Sequence, residues 1–512
     1  MHIQYNMDQT FLPLDLSAFL SSDHPVFTIH EMVESLEEKT FQTFYRELGR
    51  PSYHPRVLLK ALLYAYSIGV TSGRKIETLM EENIPMIWLT GHQVISYRTI
   101  NRFRVSDRID EALKEIYATF AAKLKFEQLI TQEHLFIDGT KIEADANKYT
   151  FVWKKATEKF YARLKQTEIS YYEQEIAPLI QEEIQRESEE EFSKENIQQL
   201  NRLLTEELEK TETELDRASN KETASVLKKK RRTLKKVRRK IRQDFLVREE
   251  KYETYLKTFS GRNSFSKTDT DATFMRMKDD HMMNGQLKPG YNIQIGTENQ
   301  YVLQYGVFPN PTDTRTLIPF IENFFEGAPL PKNVIADAGY GSEENLEYLE
   351  NKGLNGLVKF GFFDQEKKKK YRESDRNLAN WQYQEEQDVF FHPDGTPFYF
   401  QGHSKRKTSS GYEQSLKIYR PNSFVNHDRK SLTVNFSNEK RKETVRQKLS
   451  SDEGRKLFNQ RKIDVETVFG QVKANFGFRR FSVRGKEKVH RETGILFMAH
   501  NLRKYAKRKG HT

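Results

Sequence analysis

The chain has 512 residues, no cysteine, and a net charge of +11 from 84 Lys and Arg against 73 Asp and Glu. This excludes disulfides and thiolate zinc sites, and the basic excess favours a polyanionic partner, nucleic acid before others. The opening "MHIQYNMDQTFLPLDL" lacks the basic-then-apolar order of a signal peptide. No stretch reaches the roughly 18 apolar residues of a membrane span, so a soluble, cytoplasmic protein with no membrane partner is expected.

The length allows three or four domains. Residues 1–125 read as a helical, DNA-binding N-terminal domain. In "HPRVLLKALLYAYSIGV", Val57, Leu58, Ala61, Leu62, Ala65 and Ile68 recur at helical spacing behind a starting Pro55. Ser72 can cap a second helix whose apolar face is Ile76, Leu79 and Met80. "SYRTINRFR" sets Arg98, Arg102 and Arg104 around Ile100 and Phe103. It reads either as a helix laid against DNA or as an ordinary amphipathic helix of a bundle.

Residues 126–153 hold the first strand of a core, in "HLFIDGTKIEADANKY". Residues 154–258 are a charged insertion, acid-rich at first and then strongly basic in "LKKKRRTLKKVRRKIR". Ile197, Leu200, Leu204 and Leu208, then Leu227, Leu234 and Ile241, follow coiled-coil spacing. The expected structure is an antiparallel helical hairpin bending near 216–225. Its basic arm is either a DNA-binding rod or a solvated helix paired with its acidic neighbour. Across 259–360 the period changes to two in "GYNIQIGT" and "YVLQYGVF", and strands then alternate with helices, giving a mixed sheet. Residues 361–450 form an insertion with β structure around "VFFHPDGTPFYF". There Trp381, Phe390, Phe391 and Tyr399 either stack a flipped base or make a small local core. Helix returns over 451–512, ending in a basic tail.

Two acids share one setting. Asp138 follows Leu135, Phe136 and Ile137 and precedes Gly139; Asp337 follows Val334, Ile335 and Ala336 and precedes Gly339 and Gly341. An Asp-Gly pair is also a common turn. Acids at the carboxyl ends of neighbouring strands would nevertheless face one another where α/β sheets place ligands. Two close carboxylates repel unless a cation neutralises them, and an oxygen-only donor set suits a hard ion such as Mg²⁺. Two such ions assist phosphodiester displacement. A third acid, Glu466 in "RKIDVETVFGQVK", borders the apolar stripe of Val465, Val468, Phe469 and Val472. Lys462 and Lys473 lie along its side of the helix, with Arg461 displaced round it. The alternative there is an exposed, salt-bridged helix. Glu143 and Asp145 read as a solvated loop.

Together these stretches resemble the DDE transposases of bacterial insertion sequences. "YHPRVLLKALLYAYSIGVTSGRKIE" with "YRTINRFR" is similar to the helical N-terminal domain of one branch, "FIDGTKIEADANKY" to the first acidic motif and "VIADAGYGSEEN" to the second. "KPGYNIQIGTENQYVLQYGVFPNPTDT" resembles the segment between those motifs, and "RKIDVETVFGQVKANFGFRRFSVRGKEKVHRETGILFMAHNLRK" resembles the C-terminal signature. The resemblance implies an α/β fold. It comprises an RNase H-like mixed-sheet catalytic core, an all-α N-terminal domain, an inserted helical hairpin or coiled coil, and a β-containing insertion before the catalytic Glu. It implies Asp138, Asp337 and Glu466 as metal-binding catalytic residues for two Mg²⁺, with Mn²⁺ as a substitute, and Lys473 as a catalytic companion. Arg98, Arg102, Arg104, Arg461 and Lys462 are the candidate DNA contacts. Arg461 stands one residue further from Glu466 than the family's arginine, and Phe458 stands where a tyrosine is usual. Asp279, Asp280 and Asp313 also fall in matching segments, as orienting or capping residues. The implied protein binds terminal inverted repeats and target DNA, cuts and transfers strands as a homodimer or higher synaptic assembly, and sits with the bacterial nucleoid. The competing readings are an RNase H-like nuclease without strand transfer and an inactive DNA-binding relative.

Overall fold

The computed structural model describes residues 15–45, 52–180, 193–277, 285–323, 330–422 and 429–510. Asp279 and Asp280 lie outside them. The chain divides into two compact units, one of residues 1–145, 276–286 and 290–512, the other of 146–275 and 287–289.

A six-stranded mixed sheet contains β1 (His134–Glu143), β2 (Leu287–Glu298), β3 (Tyr301–Phe308), β4 (Asn333–Ala336) and β5 (Asn355–Val358), in the order β3-β2-β1-β4-β5, and the short strand Thr273–Arg276 also pairs with β2. The alternation of Tyr291, Ile293 and Ile295 with Asn292 and Gln294 does form β2, antiparallel to both β1 and β3. β4 and β5 run parallel to β1, and the connection between them is the Glu343–Asn351 helix, capped by the Ser342 side chain. Leu135, Phe136, Ile137, Val334, Ile335, Ala336, Leu357 and Val358 are buried in one cluster that also takes in Val465 from the Asp452–Gly470 helix. That packing fixes the helix carrying the third sequence-predicted acid against the sheet.

The N-terminal region is helical as expected, with helices Pro25–Glu34, Pro55–Ser67, Gly73–Glu82, Ile84–Thr90, Tyr97–Val105 and Ile109–Phe126. These helices belong to the same compact unit as the sheet. The tie is a buried polar node. Glu492, on the C-terminal Lys486–Lys509 helix, is fully buried. It accepts from Tyr66 Oη at 2.6 Å and from the Ser482 backbone N–H at 3.0 Å. Arg104 lies 3.7 Å from it and donates to Tyr66 Oη, the Thr71 carbonyl and Asn101 Oδ1.

The β insertion is a second antiparallel sheet: β6 (Gln382–Gln384), β7 (Val389–Phe391), β8 (Pro397–Lys407), β9 (Glu413–Pro421) and β10 (Leu432–Val434), each strand paired with the next. Trp381 and Phe390 are buried with Phe398, Tyr419, Leu432 and Val434, so the local-core reading holds for these two aromatics. Tyr399 is largely exposed instead.

The second unit is the charged insertion. Its arms are the Lys194–Arg217 and Lys221–Lys240 helices, with the bend at 218–220, where the Asn220 side chain caps the basic arm. Ile197, Leu200, Leu204 and Leu208 share one buried cluster with Leu234, Val237 and Ile241, and Leu164, Tyr172, Ile176 and Phe245 complete it. Beside that core Lys165 pairs with two buried acids, Glu249 and, at 3.7 Å, Glu168. Burial pushes the Glu168 carboxyl up to about 8, reinforced by the Glu249 charge and opposed by Lys165. Because the folded value lies above the unfolded one, the contribution of Glu168 to stability is full below pH ~4.5 and is lost as pH rises toward 8. Glu168→Gln is therefore expected to stabilise this unit relative to the natural chain at pH 8, on the order of a few kcal/mol, and to change little near pH 4.5. Thermal or urea unfolding of the two proteins across that range checks it.

Candidate active site

Asp138 and Asp337 are held by strand register. β1 and β4 pair His134 with Asn333, Leu135 with Val334 and Phe136 with Ile335. Continued by two residues, the same offset sets Asp138 opposite Asp337, on parallel strands that lie about 4.8 Å apart. Each carboxylate also fastens its own turn. Asp138 Oδ1 accepts from Gly139 N–H at 2.8 Å, and Asp337 Oδ1 accepts from Gly339 N–H at 2.8 Å as the cap of the Ala338–Tyr340 turn.

A third aspartate stands behind the pair. Asp313 Oδ1 accepts from Asn292 Nδ2 at 2.7 Å and from Gln294 Nε2 at 2.9 Å. A Cβ placed on Gly139 would lie 2.7 Å from that oxygen, and one on Gly339 would lie 3.4 Å from Oδ2. The Asp313 carboxylate therefore sits between the two glycine-bearing turns that follow the acids. Glycine is needed at 139 for this close approach. Tyr340, fully buried, donates to Gln294 Oε1, and Thr314 Oγ1 donates to the Gly339 carbonyl at 2.9 Å. Burial first, then the charges of Asp313, Asp138 and Asp337, push the Tyr340 hydroxyl well above its ordinary range, so it stays a donor. Read from the sequence, Asp313 was an orienting or capping residue; the role of Asn292, Gln294 and Tyr340 as its frame had no sequence signal beyond the polar face of β2.

The Asp452–Gly470 helix presents Arg461 to this site. Its Nη1 lies 3.4 Å from Asp138 Oδ2, and its guanidinium stands 5.6 Å over the Phe458 ring. Phe458 thus supports the arginine through its ring face. Glu466 is exposed. Five positions beyond Arg461, it projects roughly 140° round the helix from the residue that meets Asp138. Among the described residues no group of three or more His, Asp or Glu is gathered closely enough to hold a metal ion. The register of β1 and β4 thus sets Asp138 opposite Asp337, while Glu466 lies on a different side of its helix from Arg461. Two carboxylates still fit Mg²⁺, which is commonly held by one or two acids and completes its shell with water and substrate phosphates. Lys473 falls in a π-helical turn, Gln471–Asn475, and is half-buried; Lys462 is exposed.

Of the N-terminal arginines, Arg98 and Arg102 are exposed, and Arg74 and Arg98 flank the Tyr97 ring at 5.1 and 5.9 Å. Arg104 needs correction as a DNA contact: it is buried in the Glu492 node, where Nη1 and Nη2 donate to Tyr66, Thr71 and Asn101. The solvated-loop reading of Glu143 and Asp145 changes as well: Glu143 ends β1, and the Asp145 carboxylate meets Arg480 and Arg484, both at 2.9 Å.

The order β3-β2-β1-β4-β5, with Asp138 on β1 and Asp337 directly after β4, is a mixed sheet of the kind an RNase H-like core contains. Residues 262–502 match the Transposase DDE domain, and residues 14–106 match a second family described as Transposase domain (DUF772). The chain belongs to the DDE transposases of insertion sequences. Asp337, Glu466 and Lys473 fall inside the first match, whereas Asp138 lies in neither and rests on the register. No curated protein and no solved structure matches the chain. Among the described residues no helix is long and apolar enough to cross a membrane.

Proposed function

We propose that this transposase binds the terminal inverted repeats of its element and cuts and joins DNA strands at Asp138, Asp337 and Glu466, working as a dimer or higher synaptic assembly. The observation carrying the reading is the parallel register of β1 and β4, which, continued by two residues, sets Asp138 opposite Asp337. Divalent cations, Mg²⁺ or Mn²⁺, supply when bound the activation of the attacking oxygen and the charge neutralisation of the leaving one. Asp138 and Asp337 would hold that group, and the frame of Asp313, Asn292, Gln294 and Tyr340 keeps their turns in place. Glu466 joins when DNA engages the helix, whose continuation into a π-turn marks a point where helices adjust. Arg461 then leaves Asp138 for phosphate, and Lys473 neutralises a second phosphate. Arg98, Arg102 and Lys462 contact the DNA backbone.

The test incubates the full chain with duplexes carrying the ends of its element and Mg²⁺ or Mn²⁺, and maps cuts and joined products on both strands. Cuts at the element boundary with strand-transfer products are expected. Cuts without joining would identify a nuclease instead, and no metal-dependent cleavage would end the proposal.

A further inference from the structure

The inserted hairpin has two electrically different sides. On the basic arm, the cations turned toward the acidic arm are neutralised: Lys230 meets Glu207 at 2.6 Å and Lys235 meets Glu212 at 2.9 Å. Those turned outward are not. Lys228, Lys229, Arg232, Lys236, Arg239 and Arg242 are exposed and form no ion pair among the described residues. At about 100° per residue, the five on the Lys221–Lys240 helix fall within an arc of roughly 100°, opposite the buried Leu234 and Val237. From Lys228 to Arg239 the arc runs about 17 Å at 1.5 Å per residue.

We propose that this arc is a binding surface for the sugar-phosphate backbone of duplex DNA, sequence-independent and separate from the catalytic carboxylates. The inference rests on the reading that the chain binds DNA and assigns one surface to that binding. Duplex DNA carries one charge per roughly 1.7 Å of axis, both strands counted, so 17 Å of helix runs along about ten phosphates, more than the five cations on that length. The arc contains only lysine and arginine, which fix a protein on a backbone without reading bases. A helix from a second subunit is a poorer occupant, because a helical seam needs apolar residues at regular spacing and the arc offers none. The acidic arm turns exposed Glu206, Glu209 and Glu214 to solvent, which would repel a duplex and so restrict it to the basic side.

The experiment replaces all six residues by glutamine in the full chain (K228Q, K229Q, R232Q, K236Q, R239Q and R242Q). It measures the dissociation constant for two duplexes of unrelated sequence across a range of salt concentrations. The slope of log affinity against log salt is expected to become shallower by about 5 on both duplexes, following about 0.9 per phosphate contact. Helix content by circular dichroism is expected to stay unchanged, since the six side chains hold no intramolecular pair. An unchanged slope, while the natural chain binds DNA, overturns the inference alone. A loss confined to one duplex overturns the backbone reading, and a shift from dimer to monomer at constant slope makes the arc a subunit contact. Failure of the natural chain to bind either duplex overturns the functional reading as well.

Discussion

Asp138→Asn and Asp337→Asn are each expected to lower DNA strand cleavage at least about 10³-fold while leaving the thermal unfolding temperature nearly unchanged. The size follows from the chemistry proposed for the pair. A metal-assisted phosphodiester displacement draws several kcal/mol of charge stabilisation from the bound cation, and each 1.36 kcal/mol is a factor of ten in rate. Asparagine keeps the shape and can still accept the Gly139 or Gly339 N–H, but it lacks the charge that attracts a divalent ion. Raising Mn²⁺ should restore part of the activity, because weaker binding is offset by mass action. Single-turnover cleavage over a metal titration measures both effects. A variant that cuts at the natural rate, with the same metal dependence, would place the chemistry elsewhere.

Arg104→Ala is expected to destabilise the first unit by about 3–5 kcal/mol, the effect of leaving a buried charge without its partner. Glu492 would keep Tyr66 and Ser482 as donors but lose its cation, and the Thr71 carbonyl and Asn101 would lose theirs. Chemical denaturation checks this directly. A loss below about 0.5 kcal/mol, typical of exposed substitutions, would show that the node contributes little. The DNA affinity of the folded variant should match that of the natural chain, because Arg104 is not at the surface. Arg102→Ala, two residues away and so on the opposite, exposed face of the helix, is expected to do the reverse.

The contrast between these arginines shows where sequence patterning stops. Spacing in "SYRTINRFR" correctly buries Ile100 and Phe103, but it cannot say that a partner from the C-terminal helix covers Arg104. The same limit applies to Glu466. Its position beside the apolar stripe was readable, whereas its direction relative to Asp138 depends on how the helix rotates against the sheet. Asp138 and Asp337 were legible because a carboxylate closing an apolar run before glycine is a local anomaly. Asp313 lacks that anomaly, opening the polar 3-10 turn Asp313–Arg315, and only the fold brings it to Gly139 and Gly339. The helical hairpin was readable for the opposite reason, since its heptad spacing and opposite charges are properties of the arms themselves.

The pairing of Phe151 with Ser266 and of Trp153 with Ser264 returns the chain to its starting point after the whole inserted unit. β1 and β4 contribute partners 199 positions apart, a span whose closure would be slow for a flexible polypeptide. Once the insert has condensed on its own core, the distance the chain must search is set by the short segments on either side of that clasp. Loop-closure entropy depends only logarithmically on length, and a folded insert removes most of even that dependence. The meeting of the two halves of the mixed sheet is thereby made nearly independent of how large the intervening domain has grown.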